Sequence, residues 1–245
     1  MESIQQVIDR FDFQGKTADC RAFGNGHINT TYIVTTDLPE GGQQRYVLQK
    51  VNHNVFRDID RLMQNVFAVT SFLQEKIRAA GGDPDRETLH FIKTKDGAQY
   101  YTAPDGDYFR AYVFVKDSIS YDAVESAALF QKSGEAFGRF QHLLADFPAE
   151  TLYETIPNFH NTVSRLAALE RAAKEDRAGR LAAVGPELEF IRRRGADCSK
   201  LLDFQAAGEI TERTTHNDTK LNNVLLDAKT GRGVCVIDLD TVMPG

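Results

Sequence analysis

The sequence predicts an α+β fold in two successive parts: an antiparallel sheet interrupted by one long helix, then a mostly helical region. Three observations carry this. Alternating apolar runs bounded by Gly, Pro and Asp turn clusters recur between residues 20 and 115. Residues 58–79 instead place Ile59, Leu62, Met63, Val66, Val69, Phe72, Leu73 and Ile77 at helical spacing. After Lys116 the helical period dominates.

Taken in order, Ile4, Val7, Ile8 and Phe11 mark a short amphipathic helix in the first dozen residues. "TTYIVTT" and "RYVLQKV" read as strands flanked by the turn clusters "GNG" and "LPEGGQ". The long helix ends at "GGDP", where Gly closes the last turn and Pro blocks continuation. Strands follow in "TLHFIKT", "AQYYTA" and "YFRAYVFV", separated by "KDG" and "PDGD". Asp122, with Glu125 three residues on, predicts the start of a helix whose stripe of Leu129, Ser133, Ala136, Phe137, Phe140 and Leu144 runs to Pro148. Further helices are expected near 160–177 and 186–207. The expected division is 1–116 and 117–245.

Composition narrows the function classes. The chain has 245 residues, 42% apolar and 26% charged, as an ordinary globular protein does. A net charge of −6 without a long basic block argues against a nucleic-acid partner, which needs clustered Lys and Arg. Arg192, Arg193 and Arg194 read as a solvated helix face. Cys20, Cys198 and Cys235 fit neither a disulfide framework nor a zinc site. With no signal-peptide pattern and no run of eighteen apolar residues, the expectation is a cytoplasmic protein without a membrane partner. The oligomeric state is not legible.

Residues 215–242, "THNDTKLNNVLLDAKTGRGVCVIDLDTV", concentrate polar groups around two apolar runs. If Val224–Leu226 and Val234–Ile237 pair about "AKTGRG", Asn223 lies across from Asp238. An amide oxygen and a carboxylate then share one spot, a donor set suited to Mg²⁺, which keeps waters and is completed by substrate phosphates. Asp218, on the loop entering the hairpin, is placed to take a proton from an attacking hydroxyl, and His216 to brace that loop. Singly, each of these residues reads better as a turn former or cap; only their joint spacing favours the chemical reading.

The joint spacing H-x-D-x-x-x-x-N followed by a strand and Asp resembles the catalytic and metal-binding segments of protein-kinase-like phosphotransferases. "VIDLDT", with Asp-Leu-Asp in place of Asp-Phe-Gly, is similar to the aminoglycoside phosphotransferase branch. The resemblance implies a bilobal kinase-like fold, with an N-terminal nucleotide lobe and a helical C-terminal lobe. It also implies ATP and Mg²⁺ as cofactors, Asp218 as the base, Asn223 and Asp238 as metal ligands, and Lys220 as a γ-phosphate contact. Asp240 is left as either a supporting acid or a substrate contact.

Upstream, the resemblance asks for a phosphate-covering turn and a Lys. "FGNGHINTTYIV" offers Gly24, Asn25, Gly26 and His27, where small residues let backbone N–H groups approach phosphate, although a plain hairpin needs no ligand. Lys50 in "RYVLQKV" stands where a phosphate-binding Lys is expected. The long helix offers that Lys no acid clearly midway, only Asp58, Asp60 and Glu75, with Asn65 as a polar stand-in. "YFRAYVFVKDS" falls at the hinge position, so that backbone near Tyr112 and Phe114 would meet adenine.

"FGNGHINTTY", "GEAFGRFQHLLADFP", "ETIPNFHNTVSRL", "HNDTKLNNVLLD" and "VIDLDTVMPG" together resemble the N-acetylhexosamine 1-kinases. That likeness implies transfer of the ATP γ-phosphate to the anomeric hydroxyl of a small-molecule sugar. His160 and Arg165 are the candidate substrate contacts. Aminoglycoside, homoserine and choline kinases are the alternatives, choline being disfavoured by the absence of Trp and of a visible aromatic cage. In this family further helices follow the metal-binding Asp, so the chain reads as truncated, and a catalytically incompetent nucleotide-binding fragment is a further alternative.

Overall fold

The computed structural model describes residues 2–24 and 28–245. Asn25, Gly26 and His27 of the expected phosphate turn lie outside the described residues. The chain forms two compact units: residues up to Thr155 together with Thr214–Pro244, and Ile156–Arg213 with Gly245.

In the larger unit, α1 (Ile4–Ile8) opens with a capping box in which Ser3 and Gln6 satisfy each other's backbone N–H groups. The strands β1 (Lys16–Ala22), β2 (Thr30–Asp37) and β3 (Gln43–Val51) follow. Then come α2 (Ile59–Ala79), α3 (Pro84–Glu87), β4 (Phe91–Ile92), β5 (Tyr101–Thr102), β6 (Tyr108–Val113) and β7 (Ser118–Ile119). The main sheet is antiparallel in the order β1-β2-β3-β6-β4, with β5 also paired to β6.

Strand alternation gives this sheet two distinct faces. Val34, Tyr46, Leu48, Phe109 and Ala111 join Val7, Ile8 and Phe11 in one buried cluster on the side of α1. The register pairs Leu48 with Ala111, Gln49 with Arg110 and Lys50 with Phe109. Gln49 and Arg110 therefore face the other way from Leu48 and Lys50.

Helix α2 buries Leu62, Met63, Val66, Val69, Leu73 and Ile77, the stripe its spacing predicts. Its end is a Schellman turn: Gly82 N–H donates to Ile77 O (2.9 Å) and Gly81 N–H to Arg78 O (3.0 Å), with Gly81 at φ 76. Helix α4 (Ala127–Leu143) starts later than expected. Ser126, not Asp122, caps it by accepting from Leu129 N–H at 3.1 Å, and Asp122 instead accepts from the Asn222 amide at 3.3 Å. Both residue types cap helices, so the helical stripe alone does not choose between them.

The chain's last stretch returns to the larger unit. Strand β8 (Thr214–Thr215) pairs with β11 (Met243–Pro244), and β9 (Val224–Asp227) forms a hairpin with β10 (Gly233–Val236) that β7 extends. Helix α4 lies close on this hairpin: a Cβ on Gly233 would stand 2.6 Å from that of Ala136, so only Gly fits there.

The smaller unit holds α5 (Thr162–Glu175), capped by Asn161, then α6 (Gly185–Arg193) and α7 (Lys200–Ala206). The single helix expected over 186–207 is broken by a 3-10 turn at Gly195–Asp197. Gly weakens a continuous helix there, and periodicity alone does not register the break. No helix among the described residues is long and apolar enough to cross a membrane.

Candidate functional site

The site grows from the β9–β10 hairpin. Val224 pairs with Val236, and Ile237 N–H donates to Asn223 O at 2.9 Å, which brings the residue before β9 beside the residue after β10. Asp238 takes a left-handed backbone, φ 58 and ψ 59, uncommon for a residue with a side chain, and so turns its carboxylate out of the strand line. The Asn223 amide donates to both the main-chain oxygen (2.9 Å) and the side-chain Oδ2 (3.1 Å) of Asp218. The Lys220 ammonium lies 2.8 Å from Asp218 Oδ2 and 3.9 Å from Asp238 Oδ2. Asp218, Asn223 and Asp238 therefore converge, as the spacing predicted, and Lys220, which the resemblance named, joins them.

The loop is held from beneath. His216 is 1% exposed and packs edge-on against Phe137 and Phe140 of α4, at 5.3 and 5.7 Å between ring centroids. Its Nδ1 accepts from Asp218 N–H (3.2 Å), which assigns the proton to Nε2, whose N–H donates to Ile237 O at 2.9 Å. One imidazole thus ties the Asp218 loop to the strand before Asp238. Burial pushes its pKa down, keeping it neutral in this brace.

Electrostatics single out Asp238 at the hairpin's end. Asp238 is pushed up to about 6 by burial first and then by the charge of Asp240, while Arg110 and Lys220 pull the other way. Burial works against the charge on Lys220, but the Asp218 hydrogen bond and the charges of Asp218 and Asp238 outweigh it and raise its pKa. An ammonium resting between two carboxylates marks a locus of negative potential.

The donor chemistry suits a hard divalent ion. No group of three His, Cys, Asp or Glu able to hold a metal occurs among the described residues. A zinc-type site is not built here. One carboxylate from Asp238 with the Asn223 side-chain oxygen, whose NH₂ is already committed to Asp218, fits an ion that retains waters and takes phosphate oxygens.

Other predicted residues lie elsewhere. Lys50 does not join the group: its ammonium pairs with Asp107, and the side chain lines a cavity of about 160 Å³ with Glu2, Ile4 and Val7 on the α1 face. The reason is parity, because successive strand residues point to opposite faces. It is Gln49 and Arg110 that share the face turned to Asp240. Asn65, the stand-in partner, instead donates to Tyr153 O (2.7 Å) and Val242 O (3.1 Å) and accepts from Tyr153 N–H (2.9 Å). Asp240, expected as a supporting acid or a substrate contact, is 2% exposed and forms an ion pair with Arg110.

Gly24, two residues past the end of β1, has φ 75. Tyr112 packs on Phe91 with ring centroids at 5.3 Å, and burial pushes its hydroxyl pKa up. Phe114 uses its N–H on Arg45 O (3.0 Å), and its ring lies under the Arg45 guanidinium at 4.1 Å. In the smaller unit, Arg165 donates from Nε to Phe159 O at 3.0 Å, and the His160 ring stands 4.6 Å from that of Phe159.

Three residues went unremarked in the sequence: Asn29, Gln49 and Arg110. The available signal was Arg110 itself, a charge in the apolar run "YFRAYVFV", where burial demands a partner.

The profile of a family described as "Phosphotransferase enzyme family" matches residues 19–245. An aminoglycoside phosphotransferase from Alicyclobacillus acidocaldarius subsp. acidocaldarius has a similar structure, with TM-score 0.59 and 14% identity over 100% of this chain and 68% of that one. A spectinomycin phosphotransferase in complex with ADP and spectinomycin gives 0.55 at 13% identity, over 100% and 70%. A microcompartment-associated aminopropanol kinase gives 0.55 at 17%, over 99% and 70%. At such identities the likeness is one of fold, and the antiparallel sheet with its helical part is the kinase-like architecture that the sequence predicted.

Proposed function

The chain belongs to the phosphotransferase enzyme family, and from that premise we propose that it is a small-molecule kinase moving the γ-phosphoryl group of ATP to a sugar hydroxyl, the anomeric hydroxyl of an N-acetylhexosamine. The observation that carries the reading is the convergence of Asp218, Asn223, Asp238 and Lys220 around one locus. The choice of sugar rests on the resemblance of the quoted segments to the N-acetylhexosamine 1-kinases. In this reading residues 1–116 form the nucleotide lobe and 117–245 the catalytic one.

The acceptor oxygen attacks the γ-phosphorus, a new O–P bond forms, the bond to the β-bridging oxygen breaks, and ADP leaves. Asp218 accepts the hydroxyl proton and aligns the oxygen for in-line attack. Lys220, already resting against Asp218 and Asp238, swings its ammonium to the incoming γ-phosphate. Asn223 and Asp238 would hold Mg²⁺, which supplies charge neutralisation on the phosphate oxygens. No covalent enzyme intermediate is required, so positioning and electrostatics provide the acceleration.

A coupled ADP-release assay over N-acetylglucosamine, N-acetylgalactosamine, choline, homoserine and aminoglycosides tests this. The expected result is turnover with the N-acetylhexosamines, lowered by at least about 10²-fold in Asp218→Asn with nucleotide affinity retained. Turnover with an aminoglycoside alone would change the acceptor and keep the chemistry. Nucleotide binding with no turnover on any acceptor would favour a non-catalytic binding module.

A further inference from the structure

Arg110 is 3% exposed, so its guanidinium depends on partners within the protein. It donates to both carboxylate oxygens of Asp240, Nη2 to Oδ2 at 3.0 Å, and from Nε and Nη2 to Gln49 Oε1 at 3.0 and 2.9 Å. Asp240 Oδ2 also accepts from the Asn29 amide at 2.9 Å, while Asn29 Oδ1 accepts from Asn52 N–H at 2.9 Å. Thr155 Oγ1 donates to the Asp240 main-chain oxygen at 3.1 Å.

The side-chain network joins four separate pieces of chain. Asn29 immediately precedes β2, Gln49 lies on β3, Arg110 on β6, and Asp240 sits in the 3-10 turn Leu239–Thr241 that begins at Asp238. Leu239 and Thr241 are both buried, so this turn cannot shift without disturbing packed neighbours. A buried ion pair returns little net stability once its desolvation is counted. What it fixes is position, since a two-pronged Arg–carboxylate contact tolerates one orientation.

We infer that Asp240, held by Arg110 and Asn29, is a positioning residue. It sets the left-handed turn that aims Asp238 at the divalent cation, and through Asn29 it ties that turn to the start of β2. This rests on the phosphotransferase reading, because Asp238 is its cation ligand. In this assignment Asp240 does not contact the acceptor, and Asn29 acts only through Asp240.

Binding of Mn²⁺ with ADP, followed by electron paramagnetic resonance, reads the effect without turnover. Asn29→Ala removes the hydrogen bonds to Asp240 and from Asn52 N–H and buries no orphan charge. The double variant Arg110→Met/Asp240→Leu replaces the pair with apolar groups of similar bulk, and a melting curve checks that each variant folds. Both are expected to weaken Mn²⁺ binding about 10- to 100-fold, the usual effect of removing the support behind a metal ligand, with metal-free ADP binding unchanged. Mn²⁺ binding equal to wild type in folded Asn29→Ala, alongside loss in Asp238→Asn, would overturn this inference alone. Absence of Mn²⁺–ADP binding in the wild type would overturn the phosphotransferase reading and the inference with it.

Discussion

Asp238 carries the clearest signature of a residue whose position serves something other than folding. Its pKa is pushed up to about 6 from the ordinary carboxylate range, by burial first and the charge of Asp240 second. A carboxyl whose folded pKa lies above its unfolded value contributes stability fully below the unfolded value and loses it as pH rises through the folded one. Above about pH 6 the ionised Asp238 therefore strains the cation-free protein. Asp238→Asn should be more stable than wild type at pH 8 without divalent ions, the advantage fading as pH falls below about 5. Because the side chain is 38% exposed, solvent discounts the gain to on the order of 1 kcal/mol, a rise of about 2–4 °C in melting temperature. Equal melting at pH 8 would contradict this electrostatic picture. At this scale Asp218, Asn223 and Asp238 were legible because their spacing forces them together around a hairpin. Arg110, Gln49 and Asn29 were not, because their partners lie far away in sequence and only the fold introduces them.

At the scale of elements, strand parity is the decisive fact. "LQK" in β3 offers two polar side chains in succession, and nothing local says which one faces the hairpin. Pairing Leu48 with Ala111 in the α1 cluster settles it, sending Lys50 to the α1 face with Leu48 and Gln49 to the opposite face with Arg110. Lys50→Ala should then leave nucleotide affinity unchanged and alter stability by no more than ~0.5 kcal/mol, the usual contribution of a surface ion pair. A large loss of ATP affinity in a folded Lys50→Ala protein would restore Lys50 to the site. Helix α2 was readable end to end because its apolar stripe and its Gly stop agree. At its end, a side chain at position 81 meets no neighbour within 4 Å, so only the positive φ opposes one. Gly81→Ala should cost about 1 kcal/mol in a denaturant titration. The start of α4 was misread because Asp122 and Ser126 both satisfy the capping pattern. Tertiary contact with Asn222 gives Asp122 another task.

For the whole molecule, the switch from strand to helical periodicity gave the class, and the closing motif gave the family. Neither depends on knowing the contacts. The site described above lies wholly in the larger unit, although that unit is assembled from both ends of the chain. The smaller unit carries Phe159, His160 and Arg165 at the entry to α5. Under the proposed function it contributes acceptor recognition. Arg165→Ala should raise KM for the N-acetylhexosamine while leaving nucleotide affinity unaltered, as steady-state kinetics with each substrate varied would reveal. An unchanged KM would remove Arg165 from acceptor binding. The acceptor was the least legible feature, since sugar specificity resides in a few directional hydrogen bonds that neither charge nor periodicity records.

The most direct test is ³¹P NMR of the wild-type protein with ATP, Mg²⁺ and an N-acetylhexosamine, repeated with Asp218→Asn. The account predicts growth of a sugar phosphate resonance matched by conversion of ATP to ADP, and its suppression in the variant. A sugar phosphate formed equally fast by Asp218→Asn, or ATP left intact by a folded wild type that binds it, would contradict the claim that these side chains carry out phosphoryl transfer.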